Sequence, residues 1–453
     1  MSAPLTSPPN TPDASSGADP SLRRVLGLPS LVLFGLTYMS PVAVFTTYGL
    51  VQQQTNGHLP AAYVVATVAM LLTAHSYGRM VAAFPAAGSA YRYARGVFGP
   101  HLGFLSGWTL MLDYLFLPMV SFLLAGIYLN SQFPGVPGWI FSLALLLVVL
   151  VLNVLGVKVL SGVSAIVMAV TAVVIGIFVV LAFGHSAAPA GDVLTSFLPG
   201  SSDISVILGG AAILAFSFLG FDGVSTMAEE TRDPRRTVPR GILLATLVGG
   251  LLFILVAWSG SLAHPSTDFE NADAAGVELM VGLGGKVFSS IFVAVYVLGC
   301  FGSALVSQAS VARILYAMGR DRLLPAPLGR VDARWQTPVV ALVLVSAVGL
   351  LSCVLTLEQA VVMINFGALV AFSVVNLAVI KHYIVDKGER TARSVLVNAV
   401  VPGLGFVATA WLWTGLTGET FVVGFVWVAV GLIYLVATTR FFTRPPAEVD
   451  FSE

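Results

Sequence analysis

The chain has 453 residues, of which 57% are hydrophobic and only 10% charged, with a formal net charge of zero and a mean hydropathy of +0.92. A soluble domain carries about 25% charged residues because its surface must face water. The composition therefore excludes an ordinary soluble globular protein and indicates a chain whose solvent is lipid.

Residues 1–22 are rich in Pro, Ser and Ala and lack any periodicity, which predicts a disordered cytoplasmic tail. They lack the basic start and apolar core of a signal peptide. Residues 23–440 form one predicted transmembrane domain, and residues 441–453 a cytoplasmic C-terminal tail. Within the domain, long apolar runs without polar–apolar alternation predict helices, since a helix needs about 20 apolar residues to cross the hydrocarbon. We predict an all-α polytopic protein with twelve spans: 28–51, 60–84, 101–131, 137–156, 161–184, 204–230, 240–263, 286–316, 337–356, 359–382, 394–415 and 419–440.

The distribution of basic residues predicts the orientation, because Lys and Arg concentrate in cytoplasmic loops. If the amino terminus is inside, all of the 22 Lys and Arg residues except Lys286 fall on the cytoplasmic side. Both termini are therefore predicted to be cytoplasmic in a multi-pass protein of the cytoplasmic membrane. Acidic residues collect on the predicted outer face, either to attract cations or because basic residues are excluded there. Among them, Glu278 is a candidate first contact for an incoming substrate.

Asp113 and Asp222 are the charged residues that remain well inside the predicted spans. An ionisable group in a membrane helix is costly and marks a candidate functional site. Asp113 lies twelve residues after His101, which places it about 18 Å deep at 1.5 Å per residue. Either these carboxyls bind protons or a cation lies beside them. For Asp113, a protonated carboxyl that bonds a neighbouring helix is the structural alternative.

Two spans carry sequence signs of an interrupted helix. In the sixth span, Gly220 and Gly223 flank Asp222, and Phe216, Phe218 and Phe221 precede it. Asp222 could contact substrate or cap the second half of the helix. In the first span, Tyr38 and Ser40 precede Pro41, which removes a backbone donor. Paired interruptions in two oppositely oriented five-helix halves indicate a transporter's binding site. We expect Asp113 to be the protonatable or ammonium-facing group, with aromatic walls and polar contacts from the other candidates: Tyr38, Ser40, Thr46, Tyr114, Phe216, Phe218, Phe221 and Asp222.

Glu229 and Glu230 open a run of alternating charges at the predicted cytoplasmic end of the sixth span. Such a run could form an inner gate that salt bridges hold closed. A solvated loop with ordinary surface pairs is the alternative.

Several segments resemble the amino acid–polyamine–organocation superfamily: Gly220-Phe221-Asp222, Ala228-Glu229-Glu230-Thr231, Ser76-Tyr77-Gly78-Arg79 and Phe84 to Tyr91. The resemblance covers all twelve spans and implies a LeuT-type fold, with inverted repeats at about 28–184 and 204–382 and extra helices at about 394–440. Other segments resemble the bacterial putrescine importers: Leu112 to Met119, Phe216 to Asp222, Tyr316 to Asp321 and Ile364 to Phe372. This resemblance implies proton-coupled uptake, with Tyr114 near the substrate path.

The chain departs from these relatives in two places. The importers carry an Asp after a Val-Phe pair in the first span, where this chain has Val44-Phe45-Thr46. Several proton-coupled relatives carry a Lys in the fifth span, where this chain has none after Ser161. The first departure leaves a monoamine or an amino acid as an alternative to putrescine.

We therefore predict a secondary transporter that imports a small amine or amino acid, with a putrescine-like polyamine favoured and a proton as the coupling ion. An amino-acid permease or exchanger is the alternative, in which sodium could bind at Ser303 or Ser307 of the eighth span, opposite the first break. We expect no cofactor, resident metal or nucleic-acid partner, and the sequence has no nucleotide-binding loop for ATP. An enzyme is disfavoured because no HExxH or CxxC motif is present. A receptor or channel would not explain the paired breaks.

Overall fold

A computed structural model describes residues 24–86, 88–185, 193–198, 204–269 and 275–438, without the side chains of residues 131, 157–159, 357–358, 360–363 and 438. The predicted tails at 1–22 and 441–453 lie outside the described residues, as do four of the predicted outer acids: Asp192, Asp203, Glu270 and Asp273.

The described residues form fifteen α-helices and no strands beyond one isolated bridge between Leu26 and Thr231. The helices are α1 (Leu28–Met39), α2 (Val44–Gln54), α3 (Leu59–Ala83), α4 (Ser89–Phe98), α5 (Pro100–Gln132), α6 (Gly138–Leu155), α7 (Val157–Gly184), α8 (Ile204–Leu214), α9 (Pro234–Ala263), α10 (Ala275–Arg320), α11 (Val339–Gly349), α12 (Leu357–Val379), α13 (Ala392–Val395), α14 (Val401–Trp413) and α15 (Gly418–Thr438). Short 3₁₀ or π segments connect or extend several of them, notably Pro41–Ala43, Ala215–Phe218, Asp222–Glu230, Leu350–Cys353, Ile380–Asp386 and Leu396–Val400.

Eleven helical segments of the described chain are long and apolar enough to cross a membrane. They correspond to eleven of the predicted spans, so the prediction of an all-helical polytopic protein is confirmed. The ninth predicted span, 337–356, contains the shorter apolar helix Val339–Cys353. A twelfth crossing at this place stays a prediction.

Two features were absent from the predicted element list. Residues 89–98 form a separate short helix, α4, which carries polar and basic residues on one side and packs along α5. In addition, α10 begins eleven residues before the predicted start of the eighth span and contains a non-helical residue at Gly285, with φ of 68°. Because glycine adopts a positive φ without strain, Gly285 separates an outer segment carrying Glu278 from the long apolar helix that follows.

The helix α5 occupies a central position, since it packs against α4, α6, α10 and α12. It approaches α12 closely at Gly367, where a Cβ atom would lie 2.6 Å from the backbone nitrogen of Asp113. Glycine at position 367 therefore allows the two backbones to touch. The pairs α3–α9 and α1–α9 complete the packing around the two interrupted segments.

Candidate functional site

The first interruption lies between α1 and α2, as the sequence predicted. The α-helix ends at Met39, Ser40 adopts φ of 48°, and a 3₁₀ turn starts at Pro41. The break leaves the carbonyl of Tyr38 without its helical partner, and the Ser303 hydroxyl donates to that carbonyl at 2.9 Å. Ser303 of α10 thus faces the break, as the sodium alternative requires, whereas Ser307 donates to Ala304 of its own helix.

The second interruption follows α8. The chain passes through the 3₁₀ turn Ala215–Phe218 to Gly220, which has φ of 107°, and continues as a 3₁₀ rather than an α-helix from Asp222 to Glu230. The capping role considered for Asp222 is wrong, because Phe221 occupies the cap position and no side-chain cap bond forms there. Asp222 is instead the first residue of the 3₁₀ segment, so its side chain is free to bond elsewhere.

Asp222 is 1% exposed and accepts a hydrogen bond from the Tyr114 hydroxyl at 2.5 Å. The bond joins α5 to the second interruption. The Tyr114 ring also contacts the Tyr38 ring edge-on, with centroids 6.4 Å apart. Gly220 and Gly223 leave space for the Tyr38 ring, because a Cβ atom at either position would overlap it. Tyr38, Tyr114 and Asp222 therefore form one contiguous cluster between the two breaks.

Asp113 precedes Tyr114 but has a different environment. It is 3% exposed, and its Oδ1 atom has no hydrogen-bond partner. Within the described part of the chain, no ion pair includes it. The residue lies where α5 touches α12 at Gly367.

Two cavities lie beside the interruptions. A small one, of about 70 Å³, is lined by Tyr38, Ser40 and Ser303 together with Met39, Val42, Ala43, Thr46, Leu117, Val120, Ser121, Leu124, Phe216, Ser217, Leu219, Tyr296 and Cys300. A larger one, of about 310 Å³, shares Thr46, Val120, Leu124, Phe216 and Leu219 with it and extends to Asn365, Phe372 and Leu416. No Asp, Glu, Lys or Arg is among the lining residues of either cavity. Together they offer an apolar space with a polar end at the first break.

The predicted binding residues divide into two groups. Tyr38, Ser40, Thr46 and Phe216 line the cavities, whereas Asp113, Tyr114, Asp222, Phe218 and Phe221 do not. The ring of Phe218 packs against Phe253, and that of Phe221 packs against Tyr77 and Phe372.

Two cavity residues escaped the sequence analysis. Tyr296 shares a hydrogen bond of 2.8 Å with Thr46, and Asn365 provides an amide to the larger cavity. Tyr296 lies seven residues before Ser303, a spacing of two helical turns that places both on one face of α10. That spacing was a usable signal in the sequence. Asn365, in contrast, could be assigned to the cavity only from the packing of α12.

Acidic residues at the predicted cytoplasmic end pair with α10 and not with their own loop. Glu230 forms a buried ion pair with Arg313, and Glu229 a more exposed one with Arg320 at 2.8 Å. The backbone N–H groups of Val25 and Leu26 donate to the Glu230 carbonyl at 2.8 and 2.9 Å. A further buried cluster joins Asp321 to Tyr91, Arg92 and Arg95, which ties α4 to the end of α10. Glu278 is half-buried in the outer segment of α10 and lines neither cavity.

We expect Tyr114→Phe to lower the specificity constant for uptake by about 10- to 100-fold, because a hydrogen bond to a charged group contributes about 1.5–3 kcal/mol. The ring contact with Tyr38 remains in this variant. The rate of uptake at low substrate concentration in liposomes measures the effect. Tyr434→Phe is the matched control, since it removes a hydroxyl that donates to the Leu323 carbonyl away from the site. Equal rates for both variants would contradict a role for the Tyr114–Asp222 bond.

Comparison with known proteins agrees with this geometry. The family model for amino acid permeases matches residues 30–442. The low-affinity putrescine importer PlaP of Escherichia coli strain K12 is 38% identical over 439 residues, which cover 95% of this chain and 96% of the importer. The branched-chain amino acid permease BcaP of Bacillus subtilis strain 168 is 27% identical over 93% of this chain and 94% of the permease. A vacuolar cationic amino acid transporter of Arabidopsis thaliana, number 4, is 30% identical over 79% of this chain and 63% of its own length.

Proposed function

The chain belongs to the amino acid permease family, and from that premise we propose that it imports a small amine, with a putrescine-like polyamine favoured, by proton symport. The family and its relatives are membrane transporters and not enzymes, and the chain is a multi-pass membrane protein. The substrate, the coupling ion and the alternating-access cycle are the proposed parts.

The observation that carries the proposal is the buried Asp222–Tyr114 pair between two interrupted helices. Free backbone groups at helix breaks can bind substrate or ions, and a buried carboxylate beside aromatic rings suits an ammonium group. The carboxyls of Asp113 and Asp222 are the anionic groups available to a cationic substrate or to a proton. The 38% identity to a putrescine importer supports an amine as the substrate.

We further propose the LeuT-type arrangement, with twelve crossings, inverted repeats at 28–184 and 204–382, and both termini in the cytoplasm. The correspondence of the two interruptions supports the repeats, because each breaks the first span of its half at a similar depth. The exclusion of basic residues from the predicted outer loops supports the orientation.

An amino-acid substrate is the second candidate, and the uncharged lining of the two cavities favours it. The second ammonium of a diamine would enter an apolar space without an anion, at a large desolvation cost. An aliphatic side chain would fill the same space without that cost. Sodium coupling belongs to this alternative, since Ser303 faces the first break.

The test is uptake of labelled putrescine into liposomes that contain the purified protein, with and without an inward proton gradient. Unlabelled amino acids and monoamines serve as competitors, and sodium replaces the proton gradient in a parallel assay. We expect putrescine uptake that the proton gradient drives and sodium does not. Transport of an amino acid alone would instead establish the second candidate.

Thr46→Asp separates the two substrate classes by a gain of function. Thr46 lines both cavities, so a carboxylate there would give a second ammonium its anion. We expect preference for putrescine over a monoamine of equal length to rise by about 10- to 100-fold, on the basis of about 1.5–3 kcal/mol for a hydrogen bond to a charged group. Thr46→Asn, with the same shape and no charge, is the control. Competition assays measure the ratio, and an equal rise in both variants would contradict the role of charge.

A further inference from the structure

The two buried carboxyls between the interrupted segments have unequal environments. Asp222 accepts from the Tyr114 hydroxyl at 2.5 Å and from the backbone N–H groups of Asp222 and Gly220. Asp113 is as deeply buried, but its Oδ1 atom has no donor. A buried carboxylate without donors or a counter-charge is very costly, whereas a protonated carboxyl is tolerated. A proton is therefore most strongly favoured at Asp113.

The position of Asp113 also separates it from the substrate space. Neither cavity includes it among the lining residues, and the backbone of Gly367 covers it on the side of α12. A molecule in the cavities would contact Tyr38 and Thr46 without reaching Asp113. A proton needs no cavity, because it binds as a single O–H bond on the carboxyl.

The charge of Asp113 nevertheless acts on the neighbouring site. Asp222, Tyr38 of α1 and Tyr77 of α3 lie close enough for electrostatic interaction with Asp113. The other segments that pack on α5 engage their titratable groups elsewhere: Tyr91 and Arg95 with Asp321, Tyr434 with Leu323, Tyr296 with Thr46, and Arg313 with Glu230, while α6 and α11 contain no Asp, Glu, His, Lys, Arg, Tyr or Cys. The charge state of Asp113 is thus felt mainly by Asp222 and the two tyrosines.

We infer that Asp113 is the proton-binding group that couples transport to the proton gradient, at a position separate from the substrate site. The inference rests on the proposed proton-coupled uptake. A proton from the outer side forms an O–H bond at Asp113, which leaves Asp222 as the single negative charge and lets it bind an ammonium group. Release of the proton towards the cytoplasm restores two like charges in a low-dielectric interior, whose repulsion opposes the Tyr114–Asp222 contact between α5 and the second break.

Asp113→Asn tests this separation, because it mimics the protonated carboxyl in shape while it prevents proton release. Two assays are run on the same liposomes with the membrane potential clamped at zero. Counterflow measures exchange of labelled for unlabelled substrate without gradients, and accumulation measures uptake under a proton gradient of about one unit. One coupled proton can support about tenfold accumulation per pH unit in the wild type.

We expect Asp113→Asn to abolish this accumulation, so that the ratio of internal to external substrate falls from about ten to about one, while counterflow persists. Asp113→Glu should recover part of the accumulation, and Asp222→Asn should lose counterflow as well. Persistent accumulation in Asp113→Asn would overturn the inference, as would loss of counterflow in a variant whose thermal unfolding and elution profile match the wild type. Accumulation driven by sodium in the wild type would overturn it too. Absence of any exchange of amine or amino acid by the wild type would instead refute the proposed function.

Discussion

Asp222→Asn should reduce uptake of the amine by at least about 100-fold, the largest effect expected at the site. The carboxylate of Asp222 accepts the Tyr114 hydroxyl at 2.5 Å and lies at the second helix break. A neutral amide of the same size loses the attraction for an ammonium group and weakens the bond to Tyr114. A loss of about 3 kcal/mol from these charged interactions corresponds to about 100-fold in rate at low substrate concentration.

The measurement is the initial rate of uptake and of counterflow in liposomes of matched protein content. Asp386→Asn is the control, since Asp386 is exposed and pairs with Lys381 at 2.8 Å away from the interruptions. Thermal unfolding in detergent distinguishes a binding defect from misfolding. Near wild-type counterflow in Asp222→Asn would mean that the substrate does not use this carboxylate, and the proposed geometry of binding would fall.

The sequence was informative wherever a residue's effect is local. Apolar length predicts a membrane helix by itself, so eleven predicted spans match helices to within a few residues, apart from the earlier start of α10. Pro41 and the glycines around Asp222 alter the backbone at their own positions, and both predicted breaks are present. In the same way, the cost of burying a charge identified Asp113 and Asp222 before any contact was known.

Pairings between distant segments could not be predicted in this way. The partner of Asp222 is Tyr114, 108 residues earlier, and the partner of Glu230 is Arg313, 83 residues later. Such contacts depend on how helices pack, which periodicity within one helix does not determine. The prediction therefore grouped Asp113 with the substrate contacts, although Gly367 brings α12 against it and it lines neither cavity. The role of each site residue stays a prediction until transport is measured.

Arg313→Gln should lower the free energy of unfolding by about 3–5 kcal/mol, because it leaves the buried Glu230 carboxylate without its counter-charge. The Arg313 and Glu230 side chains are 5% and 3% exposed. The pair also holds the amino-terminal segment, since Val25 and Leu26 donate to the Glu230 carbonyl. We therefore expect the cytoplasmic ends of α1 and α10 to separate in the variant. Denaturant or thermal unfolding in detergent measures the loss.

A neighbouring pair in the same region provides the matched control. Arg320 and Glu229 join the same two segments, but their side chains are 37% and 18% exposed. Solvent screens such a pair, so Arg320→Gln should change stability by only about 0–1 kcal/mol. The double variant Glu230→Gln with Arg313→Gln should recover much of the loss, because neither buried charge then remains unpaired. Equal effects of Arg313→Gln and Arg320→Gln would contradict the assignment of the buried pair as the main electrostatic lock of this face. Full stability with raised substrate leak in Arg313→Gln would instead favour the predicted inner gate, in which the pair controls opening without contributing to the fold.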